Sequence, residues 1–309
     1  MENDNVPLLR VENLSQHFSL GGKSVVKAVE NASFSIFPGE TYGLVGESGS
    51  GKSTIGRSII RLYNPTSGRI VFGGHDVSGK MSRADKNYLR TNMQMIFQDP
   101  MACLNPRKKV GEIIAEGLDI HHLYSSRAER TEKIYRILDK VGLAREHIDR
   151  YPHQFSGGQR QRVGIARALV MNPRLIIADE CISALDVSIQ AQVVNLMKEI
   201  QKETGAAYLF IAHDLSMVKY ISDRIGVLHF GHLLETGTTE EIFSNPVHPY
   251  TKSLLSAIPR ANPAVEKQRD IITYDYKTSG IDYDAGESRL VSGTHFVRAT
   301  ATEFAAWTA

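Results

Sequence analysis

Gly46-Glu47-Ser48-Gly49-Ser50-Gly51-Lys52-Ser53 has the spacing G-x-x-x-x-G-K-[ST], a pattern that binds phosphate when it joins a strand to a helix. Glycines at 46, 49 and 51 open backbone conformations closed to residues with a Cβ, so successive amide N–H groups can turn inward around an anion. Lys52 adds a point charge for β- and γ-phosphates, and the Ser53 hydroxyl can ligate Mg2+. The context fits as well. A strand-like run, Thr41-Tyr42-Gly43-Leu44-Val45, precedes the loop, and a helix opening at Ser53-Thr54 aims the positive end of its dipole at the same anion. These residue types describe a nucleoside-triphosphate site. Leu175-Ile176-Ile177-Ala178-Asp179-Glu180 supplies a companion, an apolar strand ending in two carboxylates. Alone, it would read as a strand ending in solvated acids. Beside a phosphate loop the pair divides the labour: Asp179 holds Mg2+ through water, and Glu180 polarises the water that attacks the γ-phosphate.

Phe155-Ser156-Gly157-Gly158-Gln159-Arg160-Gln161-Arg162 precedes a helical run from Val163 to Met171. Ser156, Gly157 and Gly158 open that helix, so free N–H groups and a hydroxyl can grip a phosphate. With this segment the chain resembles the ATP-binding cassette ATPases, Phe155 standing where the commonest form has leucine. The resemblance implies that Ser156, Gly157, Gly158 and Gln159 meet the γ-phosphate of a nucleotide held by a facing subunit. It further implies that Gln98, in Met95-Ile96-Phe97-Gln98-Asp99-Pro100, senses Mg2+ and the attacking water. Ser183-Ala184-Leu185-Asp186 resembles the family's loop across the dimer interface, and His213, after Tyr208-Leu209-Phe210-Ile211-Ala212, its switch histidine. Phe18 lies where the family stacks an aromatic on adenine, with His17 and Tyr42 nearby in sequence. Taken singly, each has an ordinary reading: Gln98 a polar loop residue, Asp186 a helix cap, His213 a satisfied strand-end histidine, Phe18 a core aromatic. Cys181 departs from the family, which has proline after the catalytic acid; cysteine restores an N–H and loosens φ.

Among 309 residues there is one phosphate loop, one signature and one acidic strand, so the chain reads as half of a catalytic unit. A content of 42% hydrophobic and 23% charged residues suits a soluble core, and a net charge of +2 argues against general affinity for nucleic acid. No apolar stretch approaches about 18 residues, and Met1-Glu2-Asn3-Asp4-Asn5 is acidic and polar, so neither a membrane span nor a secretory signal is expected. Cys103 and Cys181 are too few for a zinc or iron–sulfur cluster and suit a reducing compartment.

These groups need elements to hold them. Residues 8–45 alternate β-rich runs with turns at Gly21-Gly22 and Pro38-Gly39, predicting an antiparallel portion beside the phosphate-loop strand, and Gly68 to Gly74 predicts another strand and hairpin. From Pro106 to about Gly142 the pattern is helical, with Ile134, Ile137, Leu138 and Val141 at amphipathic spacing. Ser188 to Thr204 predicts a further helix carrying Ile189, Val193, Leu196, Met197 and Ile200 on one side. Strand, helix and strand through 208–235 predict a parallel sheet. The implied fold is α/β: a P-loop NTPase cassette with a RecA-like core, an antiparallel β subdomain, a helical subdomain inserted at about 99–170, and a short C-terminal extension. The expected boundaries are 1–245 for the ATP-binding domain and 246–309 for the extension. Asn245-Pro246-Val247-His248-Pro249-Tyr250 and Tyr151-Pro152-His153-Gln154 are similar to segments of the oligopeptide and dipeptide permease ATPases, a resemblance covering roughly 7–260. From the residues alone, His248-Pro249-Tyr250 is equally a proline-bracketed linker. The stretch 261–309 reads as polar and turn-rich, with Tyr274, Tyr276 and Tyr283 among acids, packing on the cassette or a partner.

The resemblance thus implies an ATPase using ATP and Mg2+, working as one half of a heterodimer with a second cassette on two membrane-spanning permease subunits. An extracytoplasmic solute-binding protein belongs to the same complex, and the chain sits peripherally at the cytoplasmic face of the membrane. The implied activity is ATP hydrolysis that energises uptake of oligopeptides, and the alternative within transport is a nickel or glycopeptide importer with the same tail. A cassette acting on DNA or ribosomes is the rival of another class, opposed by the absence of a long coiled-coil insert, a second cassette or zinc cysteines.

Overall fold

Three mainly apolar runs lie side by side in a sheet: β3 (Thr41–Val45), β7 (Leu175–Asp179) and β8 (Ala207–Ile211) are buried along their entire lengths. Continuous rather than alternating burial is what parallel strands covered on both faces require. The computed structural model of the protein describes residues 6–21, 24–183, 185–259 and 271–309, with the side chains of 100 and 101 excepted. Gly22, Ala184 and 260–270, which fall in segments singled out above, lie outside them.

Among the described residues one sheet has eight strands in the order β11-β12-β10-β9-β3-β8-β7-β6, where β6 is Met93–Ile96, β9 Arg224–His229, β10 His232–Thr238, β11 Glu287–Ser292 and β12 His295–Ala299. β3 pairs in parallel with both β8 and β9, for example Leu44 with Ile211 and Val45 with Val227. A second sheet, β2-β1-β4-β5, is antiparallel, built from β1 (Leu9–Ser19), β2 (Val25–Ile36), β4 (Ser67–Phe72) and β5 (His75–Asp76). The helical insert comprises Val110–His121, Arg127–Lys140 and Gly157–Leu169, and Ile134, Leu138 and Val163 bury into one core with Val45 of β3. The other core lies between the sheets, where Ile55 and Ile59 of helix Lys52–Ile59 meet Leu9, Leu14 and Leu44. Each of those two isoleucines is fully buried, a contribution of about 1.5–3 kcal/mol apiece to holding that helix on the sheet. Helix Val187–Thr204 begins one residue before its expected start and buries Val193, Val194, Leu196, Met197 and Ile200, with Ile189 at the edge.

The parallel reading of 208–235 needs correction at its end. β10 runs antiparallel to β9, closing on His229 opposite His232. The two residues between them, Phe230 and Gly231, both have positive φ, 43° and 80°, the backbone of a type I′ hairpin turn. A bulky phenylalanine is not the Asn-Gly or Asp-Gly pair that announces such a turn, so the reversal is silent in the sequence. The tail read as turn-rich forms a second hairpin: β12 pairs with β10 and β11 with β12, so 287–299 extends the main sheet.

Candidate functional site

β3 delivers the phosphate loop from the middle of the sheet, and neighbouring backbone fixes its shape. Gly46 has φ 150°, and a Cβ there would lie 2.0 Å from the Leu228 carbonyl oxygen; one on Gly51, φ 106°, would lie 2.3 Å from that of Ala28. Neither position admits another residue without displacing the chain. Ser50 is buried, its carbonyl accepting from the Gly231 N–H at 2.9 Å. Lys52 opens the helix and is 3% exposed. Its Nζ donates to the carbonyls of Gly46 (2.8 Å) and Glu47 (2.7 Å) and stands 3.9 Å from Glu180 Oε1. Burial pulls its pKa below the usual lysine value, against the raising pull of Glu180 and Asp179.

Asp179 ends β7 fully buried. Its Oδ1 accepts from the Ser53 hydroxyl at 2.6 Å; its Oδ2 has no hydrogen bond and lies 3.5 Å from Arg57 Nη2. Burial pushes this carboxyl upward, opposed by the Ser53 bond and the Arg57 charge. Glu180 follows in a left-handed conformation, φ 45°. Its N–H donates to the Ile211 carbonyl at 2.9 Å, and its Oε2 accepts from Gln98 Nε2 at 2.9 Å, with His213 Nδ1 3.9 Å away. Gln98, Glu180, His213 and Lys52, widely separated in sequence, therefore gather over the loop. A cleft of about 420 Å³ opens there, lined by Ser48, Gly49, Gly51, Lys52, Ser53, Thr54, Gln98 and Glu180, with Val26, Lys27 and Ala28 of β2 and the Phe230-Gly231 turn.

Phe230 was not among the expected site residues, yet it is 56% exposed on the cleft wall. Only the hairpin places it there. Phe18 does not line the cleft; its ring packs edge-on against Tyr63 at 5.2 Å, beside Val26 in the β1–β2 register. The signature residues stand apart as well. Ser156 caps helix Gly157–Leu169: its hydroxyl accepts from the Gln159 N–H at 3.4 Å while Gln159 Oε1 accepts from the Ser156 N–H at 3.0 Å. Ser156 and Gly157 are exposed, Gly158 and Gln159 half-buried, and none lines the cleft. Asp186 is likewise exposed, at the N-cap of Val187–Thr204. Cys181 is buried, and desolvation pushes its thiol up to about 12, so it is an inert part of the core.

Two family models match the chain: "ABC transporter" over 29–183, and "Oligopeptide/dipeptide transporter, C-terminal region" over 234–278. Curated relatives include the oligopeptide transport ATP-binding protein OppF of Bacillus subtilis (strain 168), 58% identical and covering 97% of this chain and 98% of that protein. The dipeptide transport ATP-binding protein DppF of Lactococcus lactis subsp. cremoris (strain MG1363) is 54% identical, covering 96% and 95%. Among solved structures, the dimeric MJ0796, a bacterial ABC transporter cassette, superposes with TM-score 0.69 at 28% identity over 75% of this chain and 98% of its own. CbiO1 of Clostridium perfringens, part of the ABC transporter complex cbiONQ, gives 0.68 at 28% identity over 77% and 91%.

Proposed function

The chain belongs to the ABC transporter family, and from that premise we propose that it is the ATP-hydrolysing subunit of an importer of oligopeptides. The peptide assignment draws support from the relatives' names and from the match of 234–278 to the permease C-terminal model. The observation that carries the catalytic reading is the convergence of Glu180 with Gln98 and His213 above a loop whose lysine is already in place.

On this reading the loop from Gly46 to Thr54 holds the phosphates of ATP. Glu180 accepts the proton of the attacking water, while Gln98 and His213 orient that water against the γ-phosphate. Phe18, outside the cleft lining but paired in register with Val26 that lines it, is the proposed adenine platform. The donors present fit Mg2+: a buried carboxylate oxygen of Asp179 without a hydrogen bond, and the Ser53 hydroxyl beside it. Ser53, Asp179 and Gln98 would hold the ion, in part through water. Once bound, it supplies positive charge to the β- and γ-phosphate oxygens.

Residues 1–245, with the insert at 99–170, act as the ATPase domain, and 246–309 as its extension. Ser156 to Gln159 and Asp186 face outward and complete the site of a second, related cassette, whose own signature completes this one. Two membrane-spanning permease subunits and an extracytoplasmic solute-binding protein make up the rest of the complex, which places this chain peripherally on the cytoplasmic face of the membrane. No helix among the described residues is long and apolar enough to cross it.

The test is reconstitution with a partner cassette and permeases in lipid vesicles. ATP hydrolysis is expected to rise when the solute-binding protein is loaded with oligopeptide. A complex that responds to nickel and ignores peptides would overturn the solute assignment.

A further inference from the structure

Glu47 is the second residue of the phosphate loop, and both sides of it are held. Its carbonyl accepts from Lys52 Nζ at 2.7 Å, and its N–H donates to the hydroxyl of Tyr250 at 3.1 Å, a residue 203 positions away. Tyr250 is 1% exposed. His248 caps helix Pro249–Ser256 with Nδ1 accepting from the Tyr250 N–H at 3.0 Å, and Pro249 presets the first turn. The entry to that helix is itself pinned: the buried Glu235 carboxylate accepts from the N–H groups of Val247 (2.7 Å) and His248 (3.0 Å) and contacts His295 Nε2 of β12 at 2.7 Å.

The ring of Tyr250 stacks on His229 with centroids 3.9 Å apart and 15° between planes. His229 Nδ1 is 2.7 Å from the Tyr283 hydroxyl, which is 3.0 Å from that of Tyr274. A continuous chain of contacts therefore runs from the tail tyrosines through His229 and Tyr250 to the Glu47 peptide and the Lys52 ammonium.

From this juxtaposition we infer that Tyr250 is a positioning residue for the nucleotide site, and that the segment 271–309 sets nucleotide affinity by packing Tyr274 and Tyr283 behind it. The inference rests on reading the cleft as a nucleotide site. A phosphate loop binds only when its amides face inward, so affinity falls with the fraction of molecules in that conformation. The Tyr250 hydroxyl ties down the Gly46–Glu47 peptide, whose carbonyl, like that of Glu47, anchors the lysine. Losing one hydrogen bond of ordinary strength shifts such a population several-fold.

Tyr250→Phe removes the hydroxyl and keeps the stack. In the full-length chain it should raise the Kd for ATP and ADP by about threefold to tenfold. In the assembled complex the KM for ATP should rise in proportion while kcat stays within about twofold, with the melting temperature near the parent's. Tyr283→Phe, which cuts the link to His229 without touching the loop, should shift affinity the same way by less. Lys52→Ala is measured alongside. If it loses affinity and Tyr250→Phe does not, the inference falls and the nucleotide reading stands. If neither variant changes affinity, the nucleotide reading fails and takes the inference with it. A Tyr250→Phe variant that loses kcat and melting temperature together has a structural role only, which also overturns the proposal. An unshifted Tyr283→Phe removes the tail from it.

Discussion

Glu180 sits where the backbone is least comfortable for its type: a left-handed φ of 45° in a residue with a Cβ costs about 1–3 kcal/mol. The cost is tolerated because β7 and β8 over-determine the position. The Glu180 N–H is taken by Ile211, and its carbonyl accepts from the Ser183 N–H (3.1 Å) and Ser183 hydroxyl (2.9 Å). The strained turn lifts the carboxylate off the sheet toward Gln98 and His213. Glu180→Gln keeps the shape and removes the base, so ATP should still bind while hydrolysis falls by about a hundredfold or more. Phosphate release from the assembled complex, with the partner's own site silenced, measures this directly. Near-parent turnover would remove Glu180 from the chemistry.

At the scale of elements, the N-terminus of helix Gly157–Leu169 is not part of the chain's own cleft lining and is fixed by the Ser156–Gln159 capping box. The helix Lys52–Ile59, by contrast, points its N-terminus into the phosphate loop. Lys52→Ala should therefore weaken nucleotide binding by the isolated chain, because it removes the only cationic side chain of the loop. Ser156→Arg should leave the isolated chain's affinity unchanged and instead block closure against a partner cassette. Nucleotide titration of each variant, paired with sedimentation of ATP-loaded Glu180→Gln protein carrying Ser156→Arg, separates the two. Equal loss of affinity in both would contradict the two-chain site.

For the whole molecule, the aromatic layer that joins tail to cassette makes stability depend on pH. Burial pushes His229 down to about 4 and His248 down to about 3, from an ordinary 6.5. Between the ordinary and the folded values the unfolded chain binds protons that the folded protein refuses, so this contribution is fully present above about pH 6.5 and is lost progressively as the pH falls through about 4 toward 3. Denaturant unfolding of the full chain should show the free energy declining over that interval. His248→Asn, which retains a capping side chain, should flatten the decline. A slope unchanged by the variant would exclude His248 as a source.

The phosphate loop, the acidic strand, the signature helix and their order were legible because each is local: a few consecutive residues set the period, the cap or the turn. That Gln98, Glu180 and His213 come together was also legible, since each lies within two residues of the end of a strand in one parallel stretch of sheet and such strand ends share an edge. Only the tertiary structure decided that β10 turns back through Phe230 and Gly231, because the turn uses a residue type with no preference for it. The same holds for 287–299 joining the sheet and for Tyr250 reaching the loop. Those contacts depend on which surfaces pack together across long sequence separations, where Leu290 on an edge strand or a hydroxyl beside Glu47 leaves no periodic mark. The tail's polar composition pointed to turns, whereas its strands pair with each other and join β10 through β12, and Tyr283 enters the larger core.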